Sequence, residues 1–326
     1  MAATEGDDDI MRAVTVMHRN KGQPYFCVMS YFLSWGGGSK IREDKFCILN
    51  TSIEELSSLS KTPSVPGTDR PAEKAAGHWL LAQLGKKVLR PGGRETTNWL
   101  LARALGGDID VVEFAPGLGI TALEIVKRSP KSYTGVDLDP KAAEIVTERI
   151  GASSHPNYRV VNASAQETGL PSESYDAVVG EAMLTMQTDK HKLEIMREAA
   201  RLLRPGGYYA IHEMSLVPDY LRPELKEEIQ KDLARTIRVN ARPLTVAEWT
   251  ALAEEAGFEV LDVYQTDMAL LEPKRLLADE GPAGVAKIAF NLARKPQIRE
   301  RVLGMRGVFR RHADHIGAIG LILRKK

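Results

Sequence analysis

The chain of 326 residues has little of what marks several classes of protein. Its two cysteines, Cys27 and Cys47, are too few for a disulfide framework or a cysteine-based metal cluster, and the sequence has no other metal-ligand spacing. Aromatic residues make up 6% of the chain and form no stripe interleaved with basic residues, which argues against a nucleic-acid partner. The 44 basic and 43 acidic side chains nearly cancel, so no overall charge attracts the chain to an anionic surface.

Long apolar runs are also missing from the sequence. No run approaches the roughly 20 residues that a membrane-spanning helix needs, so we expect no integral membrane segment. The N-terminus is acidic, with Glu5 and three aspartates at 7–9, which is the wrong charge for a secretory signal. The sequence therefore predicts a cytoplasmic protein with room for one large α/β domain and additions or for two modest domains, and it leaves the oligomeric state open.

Residues 1–70 are predicted to be an N-terminal extension and linker of unknown role, followed by a main domain at 71–326. Two apolar runs, Tyr25–Trp35 and 46–49, flank three glycines at 36–38. Apolar runs separated by glycines are typical of a small β-hairpin. No motif in this extension indicates a function.

The stretch Val111–Thr121 is typical of a buried strand, a glycine turn and the start of a helix. Gly117 and Gly119 lack a Cβ atom, which allows the backbone to turn sharply and to approach a ligand closely. The free N–H groups of the following helix point back at this turn. Glu113 closes the strand at the mouth of the turn, and its carboxylate suits a ligand with a positive amine better than a bare pyrophosphate.

The segment 132–140 is predicted to be a second strand that ends in acidic residues. An acid about 20 residues beyond the glycines is the usual partner of ribose hydroxyls in a nucleotide-binding βαβ unit, and Asp137 occupies that position. Asp139 followed by Pro140 predicts a helix cap and the first helical residue after it.

Strands and helices alternate along the rest of the main domain, which predicts an α/β fold with a doubly wound parallel sheet. The remaining strands are expected at 158–162, 177–180, 208–212, 258–264 and 316–323. An apolar stripe from Leu193 to Leu203 predicts a helix that the Pro-Gly-Gly sequence starting at Pro205 stops.

Three further motifs accompany the glycine turn and the second-strand acid: Thr168-Gly169-Leu170-Pro171, Ser174–Val179 and Leu202–Gly207. With them, the sequence from about Pro71 to the C-terminus resembles the class I S-adenosylmethionine-dependent methyltransferases, in particular the small-molecule (type 11-like) branch. The resemblance implies a Rossmann-like sheet of seven strands whose last strand is antiparallel. It also implies S-adenosyl-L-methionine as the cofactor.

The resemblance and the residues above together give a set of expected cofactor-binding positions. They are Glu113, Ala115, Gly117, Gly119, Asp137, Leu138, Ser164, Ala165 and Glu181. The chain departs from the family pattern twice. Ala115 stands where the first motif glycine is expected, and Ser164 stands where an acid usually meets the adenine amino group. The backbone N–H of Ala165 could serve the adenine without that acid.

Two segments, about 219–243 and 268–313, exceed what a minimal sheet of this kind requires. Each carries apolar residues at helical spacing. Ligands of open α/β sheets bind beyond the carboxyl ends of the strands, so we expect these helical insertions to form a substrate lid there. Their apolar character predicts a hydrophobic acceptor, such as a quinone, a lipid or an aromatic metabolite.

Methyl transfer from a sulfonium requires little chemistry from the protein, because the methyl carbon is already activated and the enzyme mainly holds the reactants in line. A general base is needed only when the acceptor must lose a proton. Glu181, after the predicted fourth strand, and His212, at the end of the fifth, are the candidate catalytic residues. His78 and Trp79 are interpreted as helix-packing residues.

Three functions remain open at this point. The first is methyl transfer to a small acceptor through an O, N or C atom. The second is a methyltransferase-fold protein that binds a ligand without transferring a methyl group. The third is an NAD(P)-dependent oxidoreductase, because Gly117–Ala122 also fits a loose Gly-x-Gly-x-x-Ala pattern.

Overall fold

The computed structural model describes residues 12–19, 26–33, 42–47 and 71–326. The chain divides into two compact units, Met1–Thr62 and Pro63–Lys326. The first unit contains an antiparallel sheet with the order β1 (Arg12–Arg19), β2 (Phe26–Leu33) and β3 (Arg42–Cys47). β2 and β3 overlap the two runs of the predicted hairpin, and β1 is an additional strand. The glycines at 36–38 and the predicted linker lie outside the described residues.

One mixed sheet forms the centre of the second unit. Its strands are β4 (Asp110–Phe114), β5 (Ser132–Asp137), β6 (Tyr158–Asn162), β7 (Tyr175–Glu181), β8 (Leu203–Leu216), β9 (Leu244–Thr245), β10 (Phe258–Asp267) and β11 (Ile316–Lys325). Seven of them lie in the order β10-β11-β8-β7-β4-β5-β6, and the two-residue β9 pairs with the end of β8. β11 runs antiparallel to both β8 and β10, whereas β4 to β8 pair in parallel. The predicted Rossmann-like sheet with an antiparallel last strand is confirmed.

Helices pack on both faces of this sheet. They are α1 (Gly77–Gln83), α2 (Gly93–Ala104), α3 (Ile120–Val126), α4 (Pro140–Arg149), α5 (Asp189–Leu202), α6 (Pro223–Ile237), α7 (Val246–Glu255), α8 (Pro273–Arg294) and α9 (Pro296–Arg311). Successive residues of a strand point to opposite faces. Val112 accordingly packs with α5 and α7, and Val111 packs with α2, α3 and α4. This two-sided burial explains why the central strands are apolar runs without alternation.

Helix ends mostly follow the sequence signals. The Asp139 carboxylate caps α4 by accepting a hydrogen bond from the backbone N–H of Lys141 at 2.9 Å. The end of α5 differs from the expectation, because Leu203 already belongs to β8 and pairs with Tyr175. The Pro-Gly-Gly sequence from Pro205 forms an irregularity within β8, between Leu203, which pairs with Tyr175, and Tyr208, which pairs with Ala177. The helix therefore ends before this sequence.

The two insertions form the helices that their apolar spacing predicts. α6, α9 and α1 share a third apolar cluster around the end of β8, which includes Ile229, Leu233 and Met305. A polar link joins the same helices, because Asp232 on α6 lies 2.9 Å from Nε2 of His312 just after α9. Of the helices in the described part of the chain, none is long and apolar enough to span a bilayer.

Candidate active site

A cavity of about 240 Å³ lies at the carboxyl ends of the parallel strands. One side is formed by the turn after β4 and by carboxylates at the ends of β4, β5 and β7. The other side is formed by α1, α9 and the segments that follow α6 and β10. The position agrees with the rule that ligands of open α/β sheets bind beyond the carboxyl ends of the strands.

The glycine turn has the backbone that the sequence predicts. Gly117 and Gly119 have φ values of 56° and 69°, a region that favours glycine. Ala115, where the family pattern has a glycine, adopts the same kind of conformation with a φ of 51°. This conformation costs an alanine of the order of 1 kcal/mol, which the surrounding structure must offset. The turn therefore keeps its shape although its first glycine is missing.

Asp137 is tied to the glycine turn by hydrogen bonds. Its carboxylate accepts from the backbone N–H of Gly117 at 3.1 Å and from that of Asp139 at 2.9 Å. Burial raises the pKa of this carboxyl group, and the two backbone donors oppose the increase. The Asn162 side chain donates to the carbonyls of Asp137 and Leu138, which fixes the strand end at the cavity.

Glu113 lies at the base of the cavity with 3% of its surface exposed. The Tyr133 hydroxyl donates to its carboxylate at 2.6 Å. Burial is the main influence on this carboxyl group and raises its pKa to about 8, and the nearby Glu181 charge adds to the effect. Without a ligand, Glu113 is therefore mainly protonated at neutral pH.

Glu181 has the opposite electrostatic environment. Its oxygens accept from Nε of Arg90 at 3.0 Å, from the Thr97 hydroxyl at 2.6 Å and from the Thr121 hydroxyl. Burial raises the pKa of Glu181, but the Arg90 charge and a hydrogen bond from His212 outweigh burial and lower the pKa to about 2. An ionised carboxylate with these partners is a weak base. The contacts of Glu181 instead link the end of β7 to α2, to α3 and to the turn before α2.

His212 does not occupy the position expected of a base. It is fully buried behind Glu181 and is not part of the cavity lining. Its Nε2 accepts from the backbone N–H of Gly92 at 2.9 Å, and its Nδ1 lies 2.9 Å from Glu181. Because Nε2 accepts, Nδ1 carries the proton and donates to the carboxylate. Both ring nitrogens are thus engaged within the protein, which argues against the expected catalytic role of His212 and favours a role in orienting Glu181.

The predicted cofactor residues divide into two groups. Those that line the cavity are Glu113, Ala115, Gly117, Asp137 and Glu181. Those outside its lining are Gly119, Leu138, Ser164 and Ala165. Gly119 is the N-cap of α3 and packs against α4. A Cβ atom at this position would lie 3.3 Å from the Val146 side chain, which is a tight contact. Leu138, with 73% of its surface exposed, extends from the strand end beside Asp137.

Several functional candidates have no strong sequence signal. Arg90 lies in a basic turn before α2, and Thr97 and Thr121 lie in the first two turns of α2 and α3. Glu213 on β8 accepts from the backbone N–H groups of residues 183, 184 and 185 and so holds the segment after β7 at the cavity. Such contacts join residues far apart in the chain, and spacing alone does not reveal them.

Comparison with known proteins decides the family. The methyltransferase domain family matches residues 111–207. An uncharacterised protein of Haemophilus influenzae is 35% identical over 232 residues, which cover 71% of this chain and 90% of that protein. The 27-O-demethylrifamycin SV methyltransferase of Amycolatopsis mediterranei is 27% identical over 151 residues, or 46% of this chain and 53% of the enzyme. The chain belongs to the class I S-adenosylmethionine-dependent methyltransferases.

A solved structure agrees with this membership at the level of the fold. A phosphoethanolamine N-methyltransferase of Haemonchus contortus has a TM-score of 0.59 at 17% identity, covering 88% of this chain and 62% of its own. Membership in the family implies S-adenosylmethionine binding and argues against a nicotinamide-dependent oxidoreductase. The chain spans about half of the Amycolatopsis enzyme, so the reaction of that enzyme does not transfer directly to this chain.

Replacing Arg90 tests the network around Glu181. Arg90→Met should lower the free energy of unfolding by about 3–5 kcal/mol near pH 7, because a buried charge loses its cation. The difference in free energy of unfolding between wild type and variant should become smaller below pH 4.5. The pKa of Glu181 is about 2 in the folded protein and about 4.5 in the unfolded chain, so its contribution to wild-type stability is complete above pH 4.5 and is lost as the pH falls towards 2. Urea denaturation across this pH range measures both effects.

Arg94→Met is the matched control, because the Arg94 guanidinium lies 3.8 Å from Glu124 and is half exposed. The control should lose less than about 1 kcal/mol, as is usual for a surface pair. Equal losses in the two variants would contradict the importance assigned to the Arg90–Glu181 pair.

Proposed function

We propose that this methyltransferase transfers the methyl group of S-adenosylmethionine to a small, hydrophobic acceptor, with catalysis mainly by positioning. The observation that carries the proposal is the asymmetry of the cavity. Its side at the strand ends has buried carboxylates and a glycine turn, and its opposite side has apolar side chains from the insertions. A cationic nucleoside cofactor fits the first side, and a hydrophobic acceptor fits the second.

The residues at the strand ends match the chemistry of the cofactor. Glu113 offers a desolvated carboxyl group to the amine, and Asp137 offers a carboxylate to the ribose hydroxyls, as in nucleotide-binding βαβ units. The exposed Leu138 next to Asp137 gives an apolar surface for the adenine, with Ser164 and Ala165 after the neighbouring strand as further candidates. These assignments are proposals for this chain.

The cavity is rich in methionine, and two of its methionines, Met268 after β10 and Met305 on α9, lie on the acceptor side. Five methionines line the cavity: Met183, Met186, Met214, Met268 and Met305. Methionine is unbranched and polarisable, so it adapts to apolar ligands of irregular shape. The Amycolatopsis relative acts, by its name, on 27-O-demethylrifamycin SV, which supports a small-molecule acceptor here.

Positioning is the main catalytic contribution that we assign to the chain. When bound, S-adenosylmethionine supplies a methyl group that its sulfonium already activates, so the barrier depends mainly on alignment. The Glu181 network holds the ends of β7 and β8 against α2 and α3, which fixes the floor on which the reactants meet. Apolar residues of the insertions, such as Ile237 and Phe309, exclude water from the opposite side.

Calorimetric titration with S-adenosylhomocysteine tests the cofactor site directly. The wild type should bind with a dissociation constant around micromolar, about −8 kcal/mol. Asp137→Ala should weaken binding by roughly 1–3 kcal/mol, because hydrogen bonds to a charged group are lost. Asp139→Ala removes the cap of α4 two residues away and should leave binding unchanged.

The outcomes separate the remaining functions. Saturable binding with transfer to apolar acceptors supports the proposal, and binding without transfer to any acceptor favours the ligand-binding alternative. Unchanged affinity in a folded Asp137→Ala protein would remove that residue from the site.

The protonation of Glu113 gives a second, independent test. Its folded pKa of about 8 means that a cationic amine must displace a proton when it binds at pH 7. Calorimetry in buffers of different ionisation enthalpy should therefore detect release approaching one proton per S-adenosylhomocysteine bound. As the pH is raised towards 8, the affinity for S-adenosylhomocysteine should increase by up to about tenfold per pH unit, and above pH 8 it should level off.

Glu113→Gln should abolish this proton release, whereas Glu148→Gln on the exposed side of α4 should leave it unchanged. Proton uptake, or release that persists in Glu113→Gln, would place the amine away from Glu113.

A further inference from the structure

We propose that His78 is a catalytic residue of this methyltransferase, which accepts a hydrogen bond and then the proton from a hydroxyl group on an apolar acceptor. This inference rests on the proposed function, because it names the acceptor class for the same cavity. The sequence alone favours a packing role for His78, and the surroundings of its ring are the reason to revise that interpretation.

His78 lies where α1 meets the insertions. A Cβ atom at Gly77 would lie 2.6 Å from Sδ of Met305 and 3.4 Å from Cα of Ile237, so the backbone of α1 packs directly on α9 and α6. His78 and Trp79 both line the cavity, with their ring centroids 4.6 Å apart. The imidazole is therefore a polar group in the wall that we assign to the acceptor.

The ring of His78 has no polar partner within residues 71–326, because neither nitrogen makes a hydrogen bond or an ion pair there. The structural histidines of this chain differ. His212 lies between Gly92 and Glu181, and His312 bonds Asp232. His78 is only half-buried and lines the cavity, so a molecule in the cavity can supply the hydrogen-bond partner that those two histidines find within the protein.

Burial keeps this imidazole neutral, since it lowers the pKa of His78 to about 4. At pH 7 one ring nitrogen is therefore a donor and the other is an acceptor. The charged groups on the neighbouring elements are Arg301 on α9, Arg238 after α6 and Glu73 before α1. The ionisable groups that line the same cavity are Lys87, Arg90, Glu113, Asp137, Glu181 and Glu213. Arg301 donates hydrogen bonds to the backbone carbonyls of Ala72 and Thr236, and burial rather than a neighbouring charge lowers the pKa of His78.

The weak basicity of His78 discriminates among acceptor atoms. A methylated amine is a stronger base than this imidazole and would keep its proton, and a carboxylate acceptor has no proton to lose. A hydroxyl oxygen becomes strongly acidic as it bonds to carbon, so its proton moves downhill even to a weak base within hydrogen-bond reach. The apolar walls around the ring then require that the hydroxyl be carried on an apolar body.

The step balances without a further reactant. The hydroxyl oxygen forms a bond to the methyl carbon, the carbon–sulfur bond breaks, and its electron pair stays on sulfur. The hydroxyl proton moves to the acceptor nitrogen of His78. One positive charge, on the sulfonium, is replaced by one positive charge on the imidazolium, which returns its proton to water when the product leaves.

The test uses the full chain with 2-naphthol and naphthalene, which differ only by the hydroxyl group. With S-adenosylhomocysteine bound, the wild type should bind 2-naphthol about fivefold to tenfold more tightly than naphthalene, as expected for one hydrogen bond. His78→Phe keeps an aromatic ring and should lose this preference. With S-adenosylmethionine, methyl transfer to 2-naphthol should fall by about 100-fold in His78→Phe.

Three controls make the result decisive. His155→Phe replaces an exposed histidine stacked on Tyr158 and should behave as the wild type. NMR of labelled histidine should give a low pKa for His78, and its ring signal should shift with 2-naphthol but not with naphthalene. S-adenosylhomocysteine should bind His78→Phe normally.

A hydroxyl preference that is absent in the wild type, or that survives in His78→Phe, would overturn the assignment, as would unchanged transfer in His78→Phe. Failure of the wild type to bind S-adenosylhomocysteine would instead overturn the proposed function.

Discussion

The buried charge of Glu181 is the constraint on which the cavity depends. A carboxylate with 5% of its side chain exposed is stable only when cations and hydrogen-bond donors replace the water that it has lost. Here they come from the turn before α2, from α2, from α3 and from β8. Since all four contribute to one pair of oxygens, none can move without leaving a buried charge short of a partner. The same network holds the start of α3, and therefore the glycine turn, against the end of β7.

A repeated pentapeptide marks both ends of that strand. Leu-Arg-Pro-Gly-Gly occurs at 89–93 and again at 203–207. Nη1 of Arg204 lies 2.6 Å from Asp176 at the start of β7, and Nε of Arg90 lies 3.0 Å from Glu181 at its end. The side chain of Arg204 is 38% exposed and that of Arg90 is 11% exposed. Both pairs join an arginine to a carboxylate, but only the buried Arg90–Glu181 pair lies in the cavity wall, whereas the Arg204–Asp176 pair is partly exposed.

This contrast explains how far the sequence predicts the site. The alternation of strands and helices, the turn at Gly117 and the place of Asp137 depend on short-range patterns: apolar periodicity, a glycine pair and an acid 20 residues further along the chain. The partners of Glu181 depend on packing between distant segments, as for Thr97 at a separation of 84 residues. Chain position places His212 at the edge of the cavity, but its register opposite Glu181 turns the ring into the protein. Likewise, one histidine on an amphipathic helix gives no sign of whether it packs or faces a cavity, as His78 illustrates.

Two glutamates on adjacent strands, Glu113 and Glu181, divide the electrostatics of the cavity. Both are buried, yet the pKa of one is about 8 and that of the other is about 2, because Arg90 lies against Glu181 and not against Glu113. Environments that push the pKa values of neighbouring groups apart assign them different roles. Glu181 is neutralised within the protein, so its charge is structural. Glu113 lacks such a cation, and a ligand can supply one. In the function proposed above, the amine of the cofactor is that cation, so ionisation of Glu113 would be coupled to the binding of a positively charged ligand.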